Sequence, residues 1–316
     1  DTTELGDFVI AKSEDEPVFH LVNVVDDCEM GMTHIIRGED HISNTPRQIL
    51  IYEALGIKPP QFAHIPLLLA KDRSKLSKRN GAVPVTEYRG RGYLPEAIVN
   101  YLALLGWHPA DEREVLTIDE IIKEFSLNRV QKSGAIFDED KLKWFNRQYL
   151  VRLGDDEFIK HAAQFLPESI PTNSEVFKRS LPLIRDKVQA FDEIAQLFGN
   201  GGELSFAMGV NETASLLEYP KEMLLWKKNP DPKSALTHLN KTKELLAALP
   251  EEKFTADSIK NTLWDYAEKN GKGDVLWPMR VALTGQEKSP DPFACTFILG
   301  KKETLTRIEK ACELLG

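Results

Sequence analysis

The stretch from His34 to Leu69 constrains the fold more than any other part of the chain. His34-Ile35-Ile36-Arg37 reads as a short apolar strand ending in Gly38-Glu39-Asp40. Ser43-Asn44-Thr45-Pro46 is an N-cap signal with proline in the first turn. Arg47 to Leu55 follows as a helix, and Gly56 stops it. Ala63 to Leu69 is a second apolar strand. Strand, helix and strand in so short a span form a βαβ unit, and hence a parallel α/β sheet. Upstream, Phe8 to Ala11 and Val18 to Val25 are rich in β-branched and aromatic residues and read as strands, separated by the turn-like Glu14-Asp15-Glu16-Pro17.

From Leu94 onward the period changes. Ala97, Ile98, Tyr101, Leu102 and Leu105 follow a 3.6-residue repeat, so Pro95 to Leu105 is expected to be helical. Thr117-Ile118-Asp119-Glu120 opens another helix with a capping-box pattern. Asp138 to Asn146 and Asp155 to Phe165 read as further helices. Beyond residue 150 the chain is almost entirely helical in pattern, broken at 167–173, 199–202, 229–232 and 271–273. There is no internal repeat and no low-complexity tract. The layout is an α/β piece followed by a helical piece.

A chain of 316 residues exceeds one typical domain. The formal net charge of −9 argues against a simple DNA-coating protein, although RNA affinity depends on local basic stripes rather than the total. Such clusters exist at Lys71 to Arg79, at Arg89 with Arg91, and at Lys178 to Lys187. Cys28, Cys295 and Cys312 are scattered without CxxC spacing, so no zinc site is expected, and their sparseness suits a reducing cytoplasm. No apolar run approaches the ~18 residues of a membrane span. The start, acidic and lacking an apolar core segment, is not a signal peptide.

The most specific local feature is Asp72-Arg73-Ser74-Lys75-Leu76-Ser77-Lys78-Arg79-Asn80-Gly81. It follows a strand end, where ligands of open α/β sheets sit, and its lysines, arginines and serines suit a polyphosphate. Taken alone, the composition of the segment favours a solvated basic loop. KLSKR, however, resembles the KMSKS-type signature of class I aminoacyl-tRNA synthetases, in the form used by the glutamate enzymes. Val24 to Gly56, Phe62 to Leu69, Gly92 to Pro109 and Phe137 to Leu150 are similar to successive stretches of bacterial glutamyl-tRNA synthetases. So are the C-terminal RVALTG and LGKKETLTRIEKA. The resemblance runs along nearly the whole chain.

That resemblance implies the α/β half of a class I synthetase Rossmann-like catalytic domain, followed by mainly α-helical stem-contact and anticodon-binding domains. The expected boundaries are 1–81 for the catalytic half, 82–150 for the stem-contact domain, and 151–200 and 201–316 for two anticodon-binding subdomains. The implied reaction is activation of L-glutamate by ATP with Mg2+, then transfer to tRNA-Glu. Lys78 would stabilise charge growing on the departing pyrophosphate, with Lys75, Ser77 and Arg79 supporting the loop and the phosphates. Leu67 and Leu68 would meet adenine, with His64 alongside as either ligand contact or packed core histidine. Arg37 would face the γ-carboxylate of glutamate through its planar fork, or else pair with Glu39 or Asp40. Asn23, expected like His20 on the preceding strand, would help hold the amino acid. Phe19 stands where the family usually has tyrosine, so one hydroxyl contact is in doubt while the aromatic wall remains. In the helix Phe177 to Val188, Lys187, Arg185 and Arg179 are the candidates for tRNA contact, against the plain alternative of a solvated basic face.

The second class I signature, a HIGH-like tetrapeptide opening a helix, does not occur; His34-Ile35-Ile36 lies on a strand. The expectation is therefore a C-terminal part of such an enzyme: cytoplasmic, monomeric, and inactive alone. The alternative is a non-catalytic tRNA-binding module. A glutaminyl enzyme would carry β-barrels where this chain reads helical, and an unrelated P-loop protein would need GxxxxGK[ST], which is absent.

Overall fold

The computed structural model describes residues 5–77, 79, 83–208 and 218–316. The chain divides into two compact units, one formed by residues 1–89 with 94–148 and the other by 90–93 with 149–316.

The first unit opens with a small antiparallel hairpin, β1 (Ala11–Ser13) and β2 (Glu16–Pro17), and the helix α1 (Phe19–Glu29). The βαβ unit then follows as β3 (His34–Gly38), α2 (Thr45–Ala54) and β4 (Gln61–Ile65). The two strands pair in parallel, with Arg37 opposite His64. Gly56 takes φ +70° just beyond the helix, a conformation open to glycine at no steric cost. After β5 (Leu68–Leu69) come α3 (Val85–Gly90), α4 (Pro95–Gly106), α5 (Ile118–Glu124), β6 (Ala135–Ile136) and α6 (Glu139–Leu150). β6 pairs in parallel with β5. The Thr117–Glu120 capping box is present in full at the start of α5.

Three sequence expectations need correction. Val18 to Val25 is helix α1 rather than a strand, so His20 and Asn23 lie on a helix. Its β-branched composition is overridden by Leu21, Val24 and Cys28, which recur at helical spacing and pack with Ile51 and Tyr52 of α2. Of Phe8 to Ala11 only Ala11 enters a strand. Ala63 to Leu69 is not continuous: Pro66 and Leu67 separate β4 from β5, which pairs with a different neighbour. Proline has no N–H to give a ladder.

The second unit is helical: α7 (Asp155–Ala162), α8 (Glu175–Lys187), α9 (Glu193–Phe198), α10 (Pro232–Ala248), α11 (Ala256–Asn270), α12 (Lys272–Thr284) and α13 (Pro292–Leu315). Ser174, Asp231, Thr255 and Asp291 each cap the helix that follows through a side-chain oxygen. Arg307 on α13 is buried and donates to the carbonyls of Phe206 and of Leu283, the latter an acceptor at the end of α12. α13 bends at Gly300, whose φ is +78° and where an added Cβ would meet the Arg179 guanidinium of α8.

Candidate functional site

The carboxyl ends of β3 and β4 and one face of α1 and α2 build a polar cluster around Arg37. Its Nη2 donates to Thr45 Oγ1 at 2.7 Å and to Gln48 Oε1 at 2.6 Å, and the guanidinium lies 5.5 Å from the Phe62 ring centroid. Gln48, 1% exposed, donates from Nε2 to Asn23 Oδ1 at 2.9 Å. Thr45 Oγ1 lies 3.1 Å from the His41 carbonyl and 2.9 Å from His64 Nε2. One hydroxyl proton serves one acceptor, so Thr45 gives it either to the His41 carbonyl or to His64 Nε2, and in the first case the His64 ring donates to Thr45. Asn23, Arg37 and His64, separated in sequence, are thus joined through Thr45 and Gln48.

Electrostatics follow the burial. Desolvation, then Arg37 and His41, holds His64 below the ordinary histidine range. His20 is lowered as well, by desolvation and then by Arg47 and Arg37. Burial raises Asp27 despite the nearby Arg37 charge. Both hydrogens of Arg37 Nη2 are committed, which leaves Nη1 for a carboxylate; Nε is buried and meets no partner. Phe19 is half exposed, edge-on to His20 at 5.6 Å and tilted against His41 at 5.9 Å.

Residues 70–76 of the basic loop after β5 are tightly folded. Leu76 N–H donates to Leu68 O, Ala70 N–H to Ser74 O, and Arg73 N–H to Ala70 O. Asp72 Oδ1 accepts from both the N–H and the hydroxyl of Ser74, which lowers its carboxyl. Lys75 Nζ reaches Asp40 Oδ2 at 2.7 Å, which ties the loop to the segment that follows Arg37. Lys71 lies 3.7 Å from Asp140. Leu67 N–H is already taken by Glu39 Oε1, while the Leu68 side chain is partly open to solvent. Ser77 is half-buried and Arg79 exposed; Lys78, expected to carry the pyrophosphate chemistry, lies outside the described residues. Among the described residues no group of three or more His, Cys, Asp or Glu could hold a metal ion.

On α8 the three basic candidates differ. Arg185 is mostly buried, donates to Leu153 O, pairs with Asp155 and lies over Phe158. Arg179 rests over Phe297. Lys187 is more exposed and pairs with Glu203.

Sequence reasoning missed Thr45 and Gln48 as members of the site. Thr45 read as part of a helix cap, yet Asn44 makes no side-chain cap and the Thr45 hydroxyl turns to Arg37. A signal existed: Thr45, Gln48, Ile51 and Tyr52 share the buried face of α2 at helical spacing.

An α/β half-sheet with a basic signature loop and a following helical unit defines a class of protein: class I tRNA synthetases. Residues 1–144 match the family model "tRNA synthetases class I (E and Q), catalytic domain", and 157–312 match "Anticodon binding domain". The chain is 40% identical over 318 residues to a glutamate–tRNA ligase of Heliobacterium modesticaldum, covering 99% of this chain and 62% of that protein. It is 39% identical to the glutamate–tRNA ligase of a Sulfurihydrogenibium species, covering 100% and 64%. A crystal structure of a glutamate tRNA ligase from Elizabethkingia meningosepticum in complex with its amino acid superposes with a TM-score of 0.80 at 33% identity, covering 100% of this chain and 64% of that one. The chain belongs to the glutamyl-tRNA synthetase family. It spans about 62% of the length of the curated relatives it matches.

Proposed function

We propose that this chain supplies the glutamate-selecting half-site and the tRNA-binding region of a glutamate–tRNA ligase. The observation that carries the reading is the Arg37 cluster at the carboxyl end of a parallel strand pair, the position where open α/β sheets bind ligands. Arg37 presents a fixed positive charge to the side-chain carboxylate of L-glutamate, with Asn23 beside it and the Phe19 wall against the rest. A neutral amide cannot replace a charge-assisted contact, so glutamine is disfavoured. Lys75, Ser77, Lys78 and Arg79 would supply positive charge and hydrogen-bond donors to the ATP phosphates, with Leu67, Leu68 and His64 serving the nucleotide. Any magnesium comes with the nucleotide as part of the substrate.

Lys187, with Arg185 and Arg179, contributes to the tRNA-Glu surface; Lys187 is the one whose charge is most open to solvent. The domain boundaries at 81, 150 and 200, the monomeric state and a cytoplasmic location belong to the same reading. No described helix is long and apolar enough to cross a membrane. On their own these 316 residues bind tRNA without activating glutamate, because the sequence holds no HIGH-like tetrapeptide to complete the ATP site.

The test is a filter-binding titration with tRNA-Glu beside ATP–pyrophosphate exchange, at two salt concentrations. Salt-sensitive binding without exchange is the expected result. Exchange by this chain alone would overturn the half-site reading, and absence of tRNA binding would remove the RNA assignment.

A further inference from the structure

We infer that Gln48 is a positioning residue that sets which polar face Asn23 turns to the ligand, and so contributes to selection for a carboxylate-bearing substrate. The inference rests on the glutamate-site reading above. The Arg37 guanidinium can only donate. Its Nη2 lies 2.6 Å from Gln48, so the atom of Gln48 facing it is the carbonyl oxygen. The carboxamide is thereby fixed, and its other end, Nε2, can only donate. That end lies 2.9 Å from Asn23, which must answer with its oxygen. Asn23 Nδ2, a donor, is consequently the atom left for the ligand. Asn23 is half-buried, and Nδ2 makes no hydrogen bond to another described residue.

The donor character of Arg37 is relayed in this way through one buried glutamine to a second side chain on a different helix. Both open groups are then donors, a pairing suited to the carboxylate oxygens of an acidic amino acid and unfavourable to an amine in the same place. Gln48 itself is 1% exposed and touches no substrate in this scheme. Thr45 performs the parallel duty for His64, but its hydroxyl can rotate, whereas the glutamine amide is polarised in one sense only.

Gln48→Glu tests the relay with little change of volume. A carboxylate accepts at both ends, so Asn23 must flip, donate inward and present its oxygen outward. The first readout needs no ligand: hydrogen exchange of the Asn23 carboxamide protons by NMR. They are expected to exchange freely in the wild-type chain and to become protected at least tenfold in Gln48→Glu. The second readout is calorimetric titration with L-glutamate and L-glutamine. Gln48→Glu is expected to lose at least tenfold in glutamate affinity, with the preference over glutamine falling toward one. Gln48→Met, which keeps the shape but has no polar end, should lose less than Gln48→Glu.

Protected Asn23 protons in the wild type, or no change on Gln48→Glu, would overturn the relay. So would a Gln48→Met variant that weakens glutamate as much as Gln48→Glu; because the new carboxylate also neutralises Arg37, a larger loss in Gln48→Glu supports the relay only together with the change in Asn23 proton exchange. Wild-type protein with the expected exchange pattern but no glutamate affinity would instead count against the glutamate-site reading, and would take the selectivity part of the inference with it.

Discussion

At the scale of single residues, the site is a set of polar groups that are costly to leave unpaired. Thr45 accepts from Arg37 and lies against His64, so Thr45→Val removes a shared acceptor while preserving shape. It is expected to cost about 1–3 kcal/mol, read from urea unfolding of the first unit. The histidines give a pH signature. Both His64 and His20 are held below the ordinary value of about 6.5, so the folded chain keeps them neutral where the unfolded chain begins to take protons. Their contribution to stability is complete above that value and declines as pH falls through it. An NMR titration should place the His64 midpoint below 6.5; a midpoint at or above it would mean that desolvation by this cluster has been overstated. Arg37 was legible because the run Val24 to Gly56 resembles a known family; its place at a strand end alone left pairing with Glu39 or Asp40 open. Gln48 was not, because one glutamine within an amphipathic helix looks like a surface residue until its partners on α1 and β3 are brought to it.

Among the elements, legibility tracked the strength of local rules. The capping box at Thr117, the proline-led start of α4 and the glycine stop at Gly56 act within a few residues, and each stands where the sequence puts it. Val18 to Val25 went the other way: its β-branched content favours a strand, and the decision lay with α2, to which it is not adjacent in sequence. The break at Pro66-Leu67 was equally hidden, since the partner that draws off β5 is β6, far along the chain. The bend in α13 belongs to this scale too. Gly300 carries a positive φ and leaves room for the Arg179 guanidinium, so Gly300→Ala strains the backbone and displaces a side chain at once. The expected loss is upward of about 1 kcal/mol, measured by thermal unfolding of the second unit. Serine at the same place should be no better tolerated.

For the whole molecule, an excess of acidic charge coexists with a family that handles a polyanion. Several of the basic groups are engaged by carboxylates or carbonyls, as at Lys75, Arg185 and Lys187. The other large-scale feature is the assignment of residues 90–93 to the second unit although their sequence neighbours belong to the first. Arg91 N–H chemistry and backbone engage Asp192, and Gly92, at φ +77°, lies where a Cβ would fall 2.5 Å from the Phe191 Cβ and 2.8 Å from Phe165. Gly92→Ala should accordingly destabilise the helical unit by more than about 1 kcal/mol, with chemical denaturation as the check. For anyone recombining members of this family, the consequence is one of inheritance. A chimera spliced at residue 149 would receive its helical unit from one parent and that unit's glycine wedge from the other, whereas one spliced before residue 90 would divide the first unit between parents, so no single crossover keeps both units matched.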